Sequence, residues 1–480
     1  MIKRSYTLNQ LVDVHTTIVL LSYYRFNCSS VDVNVIAEMD IKILTILITV
    51  VCLKNQLVTC DDEANCCYSD DEHPYLLFDT KTAYHFSHGF IKNTTVPNCT
   101  PKQIWLLIRH GTRNPSGEEI KSMKRNLPRL QDSILENESD LCAKDLENLR
   151  AWTYDKTLKH RKKYLTEQGE EDLRSLAARF KNYFPQLLHL DSADALANKY
   201  KFRSTDTQRT VLSMERFIEG LFGNVTLNST EVVPTSEDTL LKAYKTCKAW
   251  KNETKNSASN AEMEAFENSQ RYDKLINDIS KRLGFQHNLT LDEVMDMYTA
   301  CVFEKAWHVD KVSPWCAVFT EEELKVIEYK SDLYYYYHTG YGQKMSSRIG
   351  CPPLQDMFNR FSKLENGESD EPQGVFYFSH SSSVQLLLTA MKIAEDSIPL
   401  KASNYETMEN RKWSTSRLVP FAANLAAVFY KCDSSNKVRL YLNEVPVDYE
   451  GCEKGVCEWD YLKEKLGPNA FNCNIDFCNK

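Results

Sequence analysis

The chain has 480 residues and a formal net charge of −8, with 58 lysines and arginines against 66 aspartates and glutamates. This acidic balance excludes attraction of the whole protein to nucleic acid or to an anionic membrane, so binding of a polyanion requires a local basic cavity. With 42% hydrophobic residues the chain is able to bury a large core, which favours one large α/β domain that carries an inserted second lobe.

The amino-terminal residues 1–59 predict a targeting segment. From Met39 the chain reads M-D-I-K-I-L-T-I-L-I-T-V-V-C-L-K, a short start followed by an apolar run as long as a signal-peptide core. We expect cleavage between Leu53 and Asp61, and a translation start at Met39 would explain why the preceding residues resemble neither a signal nor a domain. The alternative is an uncleaved membrane anchor that begins near Ile43.

The 16 cysteines indicate an oxidising compartment, because a cytosolic enzyme of this size rarely has so many, and their spacing suggests no zinc site. Loss of residues 1–59 would remove Cys28 and Cys52 and leave an even number. In the cysteine-rich tail at about 450–480 we expect local disulfides. Sequons for N-glycosylation occur at Asn93, Asn98, Asn137, Asn224, Asn228, Asn252 and Asn288, with another at Asn27. The sequence therefore predicts a secreted or lumenal glycoprotein, or a membrane-anchored one at the cell surface if the apolar segment is retained.

The most informative stretch is an apolar strand, Ile104 to Ile108, that runs directly into R-H-G-T-R-N-P. Arg109, His110 and Arg113 would converge at the carboxyl end of this strand. Arginine matches a phosphate oxygen pair with a planar fork of donors, and a neutral imidazole is able to attack phosphorus. The pattern indicates phosphoryl transfer through a phosphohistidine. The alternative for these residues alone is a buried core histidine beside a solvated loop.

Further candidate residues follow along the chain. A partly helical segment after Glu118 carries Lys121 and Lys124, which either face the anion site or form a solvated charged surface. Helical periodicity continues from Leu165 to Phe184. Between Tyr200 and Gly223, we expect a polar loop and then an amphipathic helix. Its amino end would hold Arg209, either as a third phosphate-binding arginine or in a surface salt bridge.

The second half of the chain begins with a helical, polar region from Leu240 to about Lys311, which we interpret as an inserted helical lobe. In the helix that follows, the run Tyr334 to Tyr337 forms either a stacking surface or part of the core. A second buried strand, Gly374 to Phe378, then leads to His380 and a helix. Two distant strands that each deliver a histidine are expected in a doubly wound sheet, which places its site at the carboxyl edge. Two more strands are predicted, at Phe421–Tyr430 and Val438–Leu442.

With R-H-G-T-R-N-P, an arginine after T-D-T-Q, and a histidine that closes a late strand, the sequence resembles the histidine phosphatase superfamily, in its branch of acid phosphatases, phytases and inositol polyphosphate phosphatases. Later segments are similar to that family, in order: S-P-W-C at Ser313, G-Y-G at Gly340, S-S-R with Cys351, L-V-P-F-A-A-N-L at Leu418 and L-N-E at Leu442. The resemblance covers roughly Cys60 to Tyr449.

The resemblance implies a doubly wound, mostly parallel α/β sheet with helices on both faces, and an α-helical cap inserted at about 130–315 in a domain spanning 60–480. It also implies a phosphomonoesterase of inositol polyphosphates or related esters that needs no metal or cofactor. His110 would be the nucleophile, the three arginines would hold the phosphate, and His380 would donate a hydrogen bond to it. The expected partner is a small phosphorylated substrate, with no nucleic acid and no obligatory membrane contact unless the anchor is retained.

One departure from the family pattern concerns the proton donor. The family places a carboxylic acid just after the second histidine, whereas this chain has Ser381, Ser382 and Ser383. A hydroxyl is too weak an acid to protonate an alkoxide leaving group. Three outcomes are therefore open: a carboxylate from elsewhere reaches the site, activity is limited to good leaving groups, or the protein binds polyphosphates with little turnover.

Overall fold

The computed structural model describes residues 67, 76–189, 199–225, 230–368 and 370–479. All of them belong to the compact unit Cys67–Lys480. The expectations for the signal peptide or anchor at 1–59, for Cys28, Cys52 and Cys60, and for the sequons at Asn27 and Asn228 lie outside the described residues. Within the described part, no helix combines the length and the apolar composition that a membrane span requires.

Helices and strands alternate along much of the described chain. The strands are β1 (Cys99–Arg109), β2 (Tyr200–Thr205), β3 (Thr230–Val233), β4 (Gly374–Ser379), β5 (Asn424–Cys432), β6 (Lys437–Leu442), β7 (Val445–Pro446) and β8 (Val456–Glu458). The α-helices of the first half are α1 (Tyr84–Ser87), α2 (Gly117–Glu136), α3 (Ala143–Ala151), α4 (Glu167–Tyr183), α5 (Gln208–Phe222), α6 (Ala243–Thr246), α7 (Lys248–Lys255), α8 (Ser257–Glu267), α9 (Gln270–Arg282) and α10 (Leu291–Trp307). Those of the second half are α11 (Glu321–His338), α12 (Ser346–Ile349), α13 (Cys351–Glu365), α14 (Ser381–Ala390), α15 (Thr415–Leu418) and α16 (Trp459–Phe471).

The strands form one mixed sheet in the order β3-β2-β4-β1-β5-β6-β7, with β8 paired to β6. Neighbours from β3 to β1 are parallel, whereas β5 to β8 add antiparallel pairs. The predicted sheet is therefore confirmed, and so are the two strands that end at the histidines. Because β1 and β4 are adjacent and parallel, with Arg109 opposite Ser379, their carboxyl ends meet at one edge.

Helices cover both faces of the sheet, as predicted. In β1, Ile104, Leu106 and Ile108 are fully buried in one core with α4 and α5. The alternate residues Trp105 and Leu107 are buried in the other core, with α2, α10, α11 and α13. Successive side chains of a strand point to opposite faces, so a continuously apolar strand requires a packed layer on each side.

The stretch Tyr200–Thr205, which we expected to be a polar loop, is instead the strand β2. It lies between β3 and β4 in the sheet, with Phe202 paired to Phe376. The polar composition predicts a loop, but Ser204 and Thr205 are buried at the edge of the sheet where the site lies. The helix after it is confirmed as α5, and Gly223 ends it with a φ of 75°.

The region from Leu240 to Lys311 is helical in the structure, as expected, and contains α6 to α10. The broader range of about 130–315 is not entirely helical, because it also includes β2 and β3. Those strands extend the central sheet, and α4 and α5 pack on that sheet. The helical segment that is free of sheet strands is therefore narrower than the range suggested by the resemblance.

Six disulfides link the described cysteines: Cys67–Cys142, Cys99–Cys432, Cys247–Cys478, Cys301–Cys316, Cys351–Cys473 and Cys452–Cys457. The expectation of local pairs in the tail holds only for Cys452–Cys457. The other two tail cysteines bond to distant segments, Cys478 to Cys247 and Cys473 to Cys351. For Cys473 the reason is that α16 packs against α13, with the Phe358 and Trp459 ring centroids 4.9 Å apart. That packing brings Cys473 beside Cys351.

Candidate active site

The carboxyl ends of β1 and β4 place the two predicted histidines side by side. The amide of His110 donates to the carbonyl of Ser379 at 3.0 Å, which extends the parallel pairing of β1 and β4 by one residue. The imidazole centroids of His110 and His380 are 5.6 Å apart, and both side chains are buried. The structure thus brings together two residues that are 270 positions apart in the sequence.

The loop that follows His110 is held by a short segment before α4. Asn114 donates its amide to the carbonyl of Tyr164 at 2.8 Å, and Lys163 donates to the carbonyl of Pro115 at 2.9 Å. The side chain of Asp172 accepts from the Thr112 amide at 2.9 Å and from its hydroxyl at 2.7 Å. The loop is therefore fixed by paired backbone and by a buried carboxylate.

The hydrogen bond of His110 determines which of its ring nitrogens is free. Nδ1 lies 2.8 Å from the carbonyl oxygen of Gly111, which only accepts, so Nδ1 carries the proton and Nε2 has a free lone pair. Burial, followed by the positive charges of Arg109 and Arg209, holds the pKa of His110 well below its usual value. The imidazole is consequently neutral and nucleophilic at physiological pH.

Three arginines converge on this imidazole, as the sequence predicted. Burial, and then repulsion from Arg113, lowers the pKa of Arg109 to about 9 and that of Arg209 to about 10, so both guanidiniums remain charged at neutral pH. Arg109 donates from Nη1 to the carbonyls of Thr80 and Val419 at 2.5 and 2.6 Å. The buried Nε atoms of Arg109 and Arg209 have no protein acceptor among the described residues. Three like charges around one cavity, two of them with an unpaired Nε donor, form an anion site.

Aromatic rings fix the orientation of two of the arginines. The guanidinium of Arg109 lies 4.6 Å from the centroid of Phe421, and that of Arg113 lies 5.6 Å from the centroid of Phe303. Phe421 belongs to the L-V-P-F-A-A-N-L segment, and Phe303 belongs to α10. Stacking restricts the flexible arginine side chains, so less entropy is lost when they engage an anion.

His380 caps the start of α14 and contacts Arg209. Its Nδ1 lies 3.2 Å from Nη2 of Arg209 and therefore accepts, which leaves the proton on Nε2. Nε2 lies 3.3 Å from the hydroxyl of Thr205, which itself donates to Thr210. Burial and the charge of Arg209 hold the pKa of His380 well below its usual value, so this ring is also neutral.

These groups line a cavity of about 500 Å³ that also carries four lysines. The lysines are Lys81, Lys163, Lys242 and Lys245. The predicted candidates Lys121 and Lys124 are not among the lining residues, because both are exposed on other sides of α2. No local pattern in the sequence distinguishes the four lining lysines, since they come from three separate segments that only the fold brings together, with Lys242 and Lys245 in one turn at the start of α6.

Comparisons with known proteins agree with this geometry. Residues 102–443 match the protein family described as "Histidine phosphatase superfamily (branch 2)". The chain belongs to this superfamily. It is 37% identical over 417 residues to multiple inositol polyphosphate phosphatase 1 of Drosophila melanogaster, covering 84% of this chain and 87% of that protein. It is 29% identical to the Homo sapiens protein of the same name over 391 residues, covering 76% and 78% of the two chains.

Solved structures share the fold of this superfamily member. The phytase from D. castellii has a TM-score of 0.68 at 19% identity, covering 88% of this chain and 91% of that one. The multiple inositol polyphosphate phosphatase of Bifidobacterium longum, in complex with inositol hexasulfate, has a TM-score of 0.61 at 16% identity, covering 82% and 97%. The expected fold class is thereby confirmed.

The three residues after His380 are serines and carry no acid. Ser381 and Ser382 line the cavity, as their position predicts. Ser383 points away from it and donates to the carbonyl of Leu241 at 2.7 Å. Among the described residues that line the cavity, the one carboxylic acid is Glu119, which no sequence motif indicates.

The tyrosine run of α11 is divided between the core and the cavity. Tyr336 is buried, whereas Tyr335 lines the cavity and has its hydroxyl 3.4 Å from that of Thr80. Tyr334 is exposed and stacks on His338 with centroids 3.9 Å apart. Neither alternative from the sequence describes the whole run, because successive residues of a helix point in directions about 100° apart.

Proposed function

We propose that this protein is a phosphomonoesterase that hydrolyses inositol polyphosphates through a phosphohistidine intermediate on His110. The observation that carries the proposal is a neutral imidazole with a free Nε2, held in a cavity with three charged guanidiniums. The relatives named as inositol polyphosphate phosphatases support the same reaction. These relatives do not favour the alternative of a binder with little turnover.

In this mechanism Nε2 of His110 attacks phosphorus while the three arginines neutralise the equatorial oxygens. Arg109 is the last residue of β1, Arg113 lies in the loop that follows, and Arg209 lies in the first turn of α5, so they approach the phosphate from different elements. Preorganised positive charge stabilises the transition state without reorganisation, which explains why the site requires no metal or cofactor in this proposal. His380 accepts a hydrogen bond from Arg209, and its Nε2 would donate to the phosphate in place of the Thr205 hydroxyl.

The four lysines at the rim favour a substrate with several phosphates. An ester with one phosphate uses only the arginine site, whereas additional phosphates on a compact ring would face Lys81, Lys163, Lys242 and Lys245. The Nζ of Lys242 is positioned at the cavity by hydrogen bonds to the Asp206 carboxylate at 2.9 Å and to the Thr235 hydroxyl at 2.7 Å. The cavity is thus locally positive and able to bind a polyanion, although the whole protein has a negative net charge.

The test compares the mature protein with a His110→Ala variant. Each is incubated with inositol hexakisphosphate and, separately, with 4-nitrophenyl phosphate, and released phosphate is measured. A His287→Ala variant serves as the matched control, because it removes an exposed imidazole from outside the cavity. We expect activity in the wild type and the control and none in His110→Ala. Tight binding of hexakisphosphate without turnover by the wild type would contradict the proposal.

We further propose that the protein enters the secretory pathway and is glycosylated there. Six disulfides among the described cysteines support an oxidising compartment. Of the sequon asparagines in the described residues, Asn93, Asn98, Asn224, Asn252 and Asn288 are exposed, and Asn137 is half-buried. Expression in insect cells, treatment with an N-glycosidase and sequencing of the mature amino terminus would test secretion, glycosylation and cleavage between Leu53 and Asp61. An amino terminus that retains Ile43 would favour the anchor.

A further inference from the structure

The serines after His380 leave the leaving group without an evident proton donor. Expulsion of an inositol alkoxide requires protonation of the bridging oxygen as its bond to phosphorus breaks, and a positioned acid contributes about 10²–10⁴-fold in rate. The hydroxyls of Ser381 and Ser382 are too weakly acidic for this step. The donor must therefore be another group that reaches the cavity.

The described lining residues offer few acidic groups. Burial raises the pKa of Tyr244 to about 12, which makes its hydroxyl a poor acid. Two neighbouring carboxylates are engaged elsewhere and do not line this cavity. Asp79 bonds to Lys81 and to the hydroxyl of Thr80, each at 3.0 Å, and Asp206 bonds to Lys242 at 2.9 Å. Glu119 remains as the carboxyl on the cavity wall.

The fold fixes Glu119 at this position through the start of α2. The helix begins directly after the loop that holds Arg113, and Ser116 is its amino-terminal cap. The amide of Ser116 donates to Oε2 of Glu119 at 2.6 Å, which completes a capping box. Because the same loop carries His110 and this cap, the nucleophile and the carboxyl are anchored to one continuous piece of backbone.

We propose that Glu119 is the general acid and base of the reaction, an inference that rests on the proposed phosphatase function. In the first step, Nε2 of His110 bonds to phosphorus, the bond from phosphorus to the ester oxygen breaks, and the Glu119 carboxyl gives its proton to that oxygen. In the second step, the carboxylate takes a proton from water as the water oxygen attacks phosphorus. The nitrogen–phosphorus bond then breaks, its electron pair returns to Nε2, and inorganic phosphate leaves.

The surroundings of Glu119 determine when it is protonated. Groups that face it from neighbouring elements are Lys81 and Asp79 in the turn before α1, Arg113 in the loop, and Tyr335 and Lys330 in α11. Burial alone raises the pKa of Glu119, but Lys81, the Ser116 amide and Arg113 outweigh it and keep the pKa below the usual value. A bound polyphosphate screens these cations and adds negative charge, so substrate binding itself favours the acid form.

The decisive variant is Glu119→Gln, which has the same shape and is able to keep the capping box. On inositol hexakisphosphate, we expect kcat/KM to fall about 10²–10⁴-fold, because the alkoxide is no longer protonated. On 4-nitrophenyl phosphate we expect a fall of less than about tenfold, because nitrophenolate leaves without a proton and kcat/KM excludes the later hydrolysis step. Glu118→Gln is the matched control, since Glu118 is exposed in the same helical turn and does not line the cavity.

The ratio of the losses in kcat/KM on the two substrates distinguishes the possible results. A large loss on hexakisphosphate alone supports the proposal, as does accumulation of phosphohistidine in Glu119→Gln with the aryl substrate. Equal losses on both substrates would indicate a structural role, and no loss would exclude Glu119 as the acid, so either result overturns the proposal. If the wild type hydrolyses neither substrate, it is the proposed function that fails.

Discussion

Gly111 and Gly169 lie so close together that neither position has room for a Cβ atom. A Cβ at Gly111 would overlap the carbonyl oxygen of Gly169, and one at Gly169 would overlap that of Thr112. The loop after β1 is thereby pressed against the first turn of α4. Gly111 does not adopt a positive φ, so this close approach, and not a left-handed turn, explains the glycine of R-H-G.

The first prediction concerns this contact. We expect Gly169→Ala to lower the free energy of unfolding by about 1–3 kcal/mol and to reduce kcat/KM, because the loop must move to accommodate the methyl group. Urea unfolding and phosphatase assays measure both effects. Gly117→Ala is the control, since a Cβ there meets only Lys162 Cδ, at 3.6 Å. Equal stability of the two variants would contradict the explanation.

The second prediction concerns the pH dependence of stability. Burial holds the pKa of His110 well below 6.5 in the folded state, so below about pH 6.5 the unfolded chain binds a proton that the native protein does not. The free energy of unfolding should therefore fall as the pH decreases from 7 to 5. Relative to a His110→Gln variant, we expect an additional decrease that approaches about 1.4 kcal/mol per pH unit. Parallel stability curves would show that His110 titrates normally.

The third prediction tests the contact between Arg209 and His380. We expect Arg209→Gln to lower kcat/KM about 10²–10³-fold, because a preorganised charge at the phosphate is lost. After burial, Arg209 is the largest influence that lowers the pKa of His380, so that pKa should also rise in the variant, as NMR titration of the imidazole would report.

The control for Arg209 is another arginine of α5. Arg216→Gln removes bonds to Glu170 and Glu219, at 2.9 and 2.7 Å, outside the cavity. It should leave kcat/KM nearly unchanged. A comparable loss of activity in this variant would indicate that disruption of the helix, and not loss of the guanidinium from the site, explains the effect.

The fourth prediction places an acid two residues after His380, where the resemblance to the family led us to expect one. In a Glu119→Gln background, Ser382→Glu should recover part of the turnover of inositol hexakisphosphate, because residue 382 lines the same cavity. Ser382→Gln is the matched control for size. Equal rates for the two substitutions would mean that a carboxyl at this position does not reach the leaving oxygen.

The fifth prediction concerns the tail. Cys351 and Cys473 are separated by 122 residues, whereas Cys452 and Cys457 are separated by 5. In the loop-entropy description, replacing the first pair by serine costs about 5 kcal/mol of stability and replacing the second costs about 2 kcal/mol. Thermal unfolding of the two double variants compares them. A larger effect of the short loop would argue that strain or packing dominates over loop entropy.

The sequence by itself determined the site residues that lie within short contiguous stretches of the chain. In each case a buried strand stops at a polar turn, so the order of residues places His110, Arg109 and Arg113 at one strand end and His380 at another. Arg209 is predicted for a similar reason, because it lies at the start of an amphipathic helix that follows a polar stretch. Such local signals need no knowledge of which strands are neighbours.

Only the tertiary structure decided which residues complete the cavity. Glu119 and the four lysines come from separate segments with no common motif: the first turn of α2, the turn before α1, the loop before α4 and the start of α6. They meet because hydrogen bonds and packing join parts of the chain that are far apart in the sequence. The prediction of a loop at β2 is wrong for the same reason: its strand geometry comes from its neighbours β3 and β4 and not from its own polar composition. The partners of Cys473 and Cys478 likewise depend on packing of the tail. Long-range pairing is set by burial and register across the whole chain, which local sequence patterns do not contain.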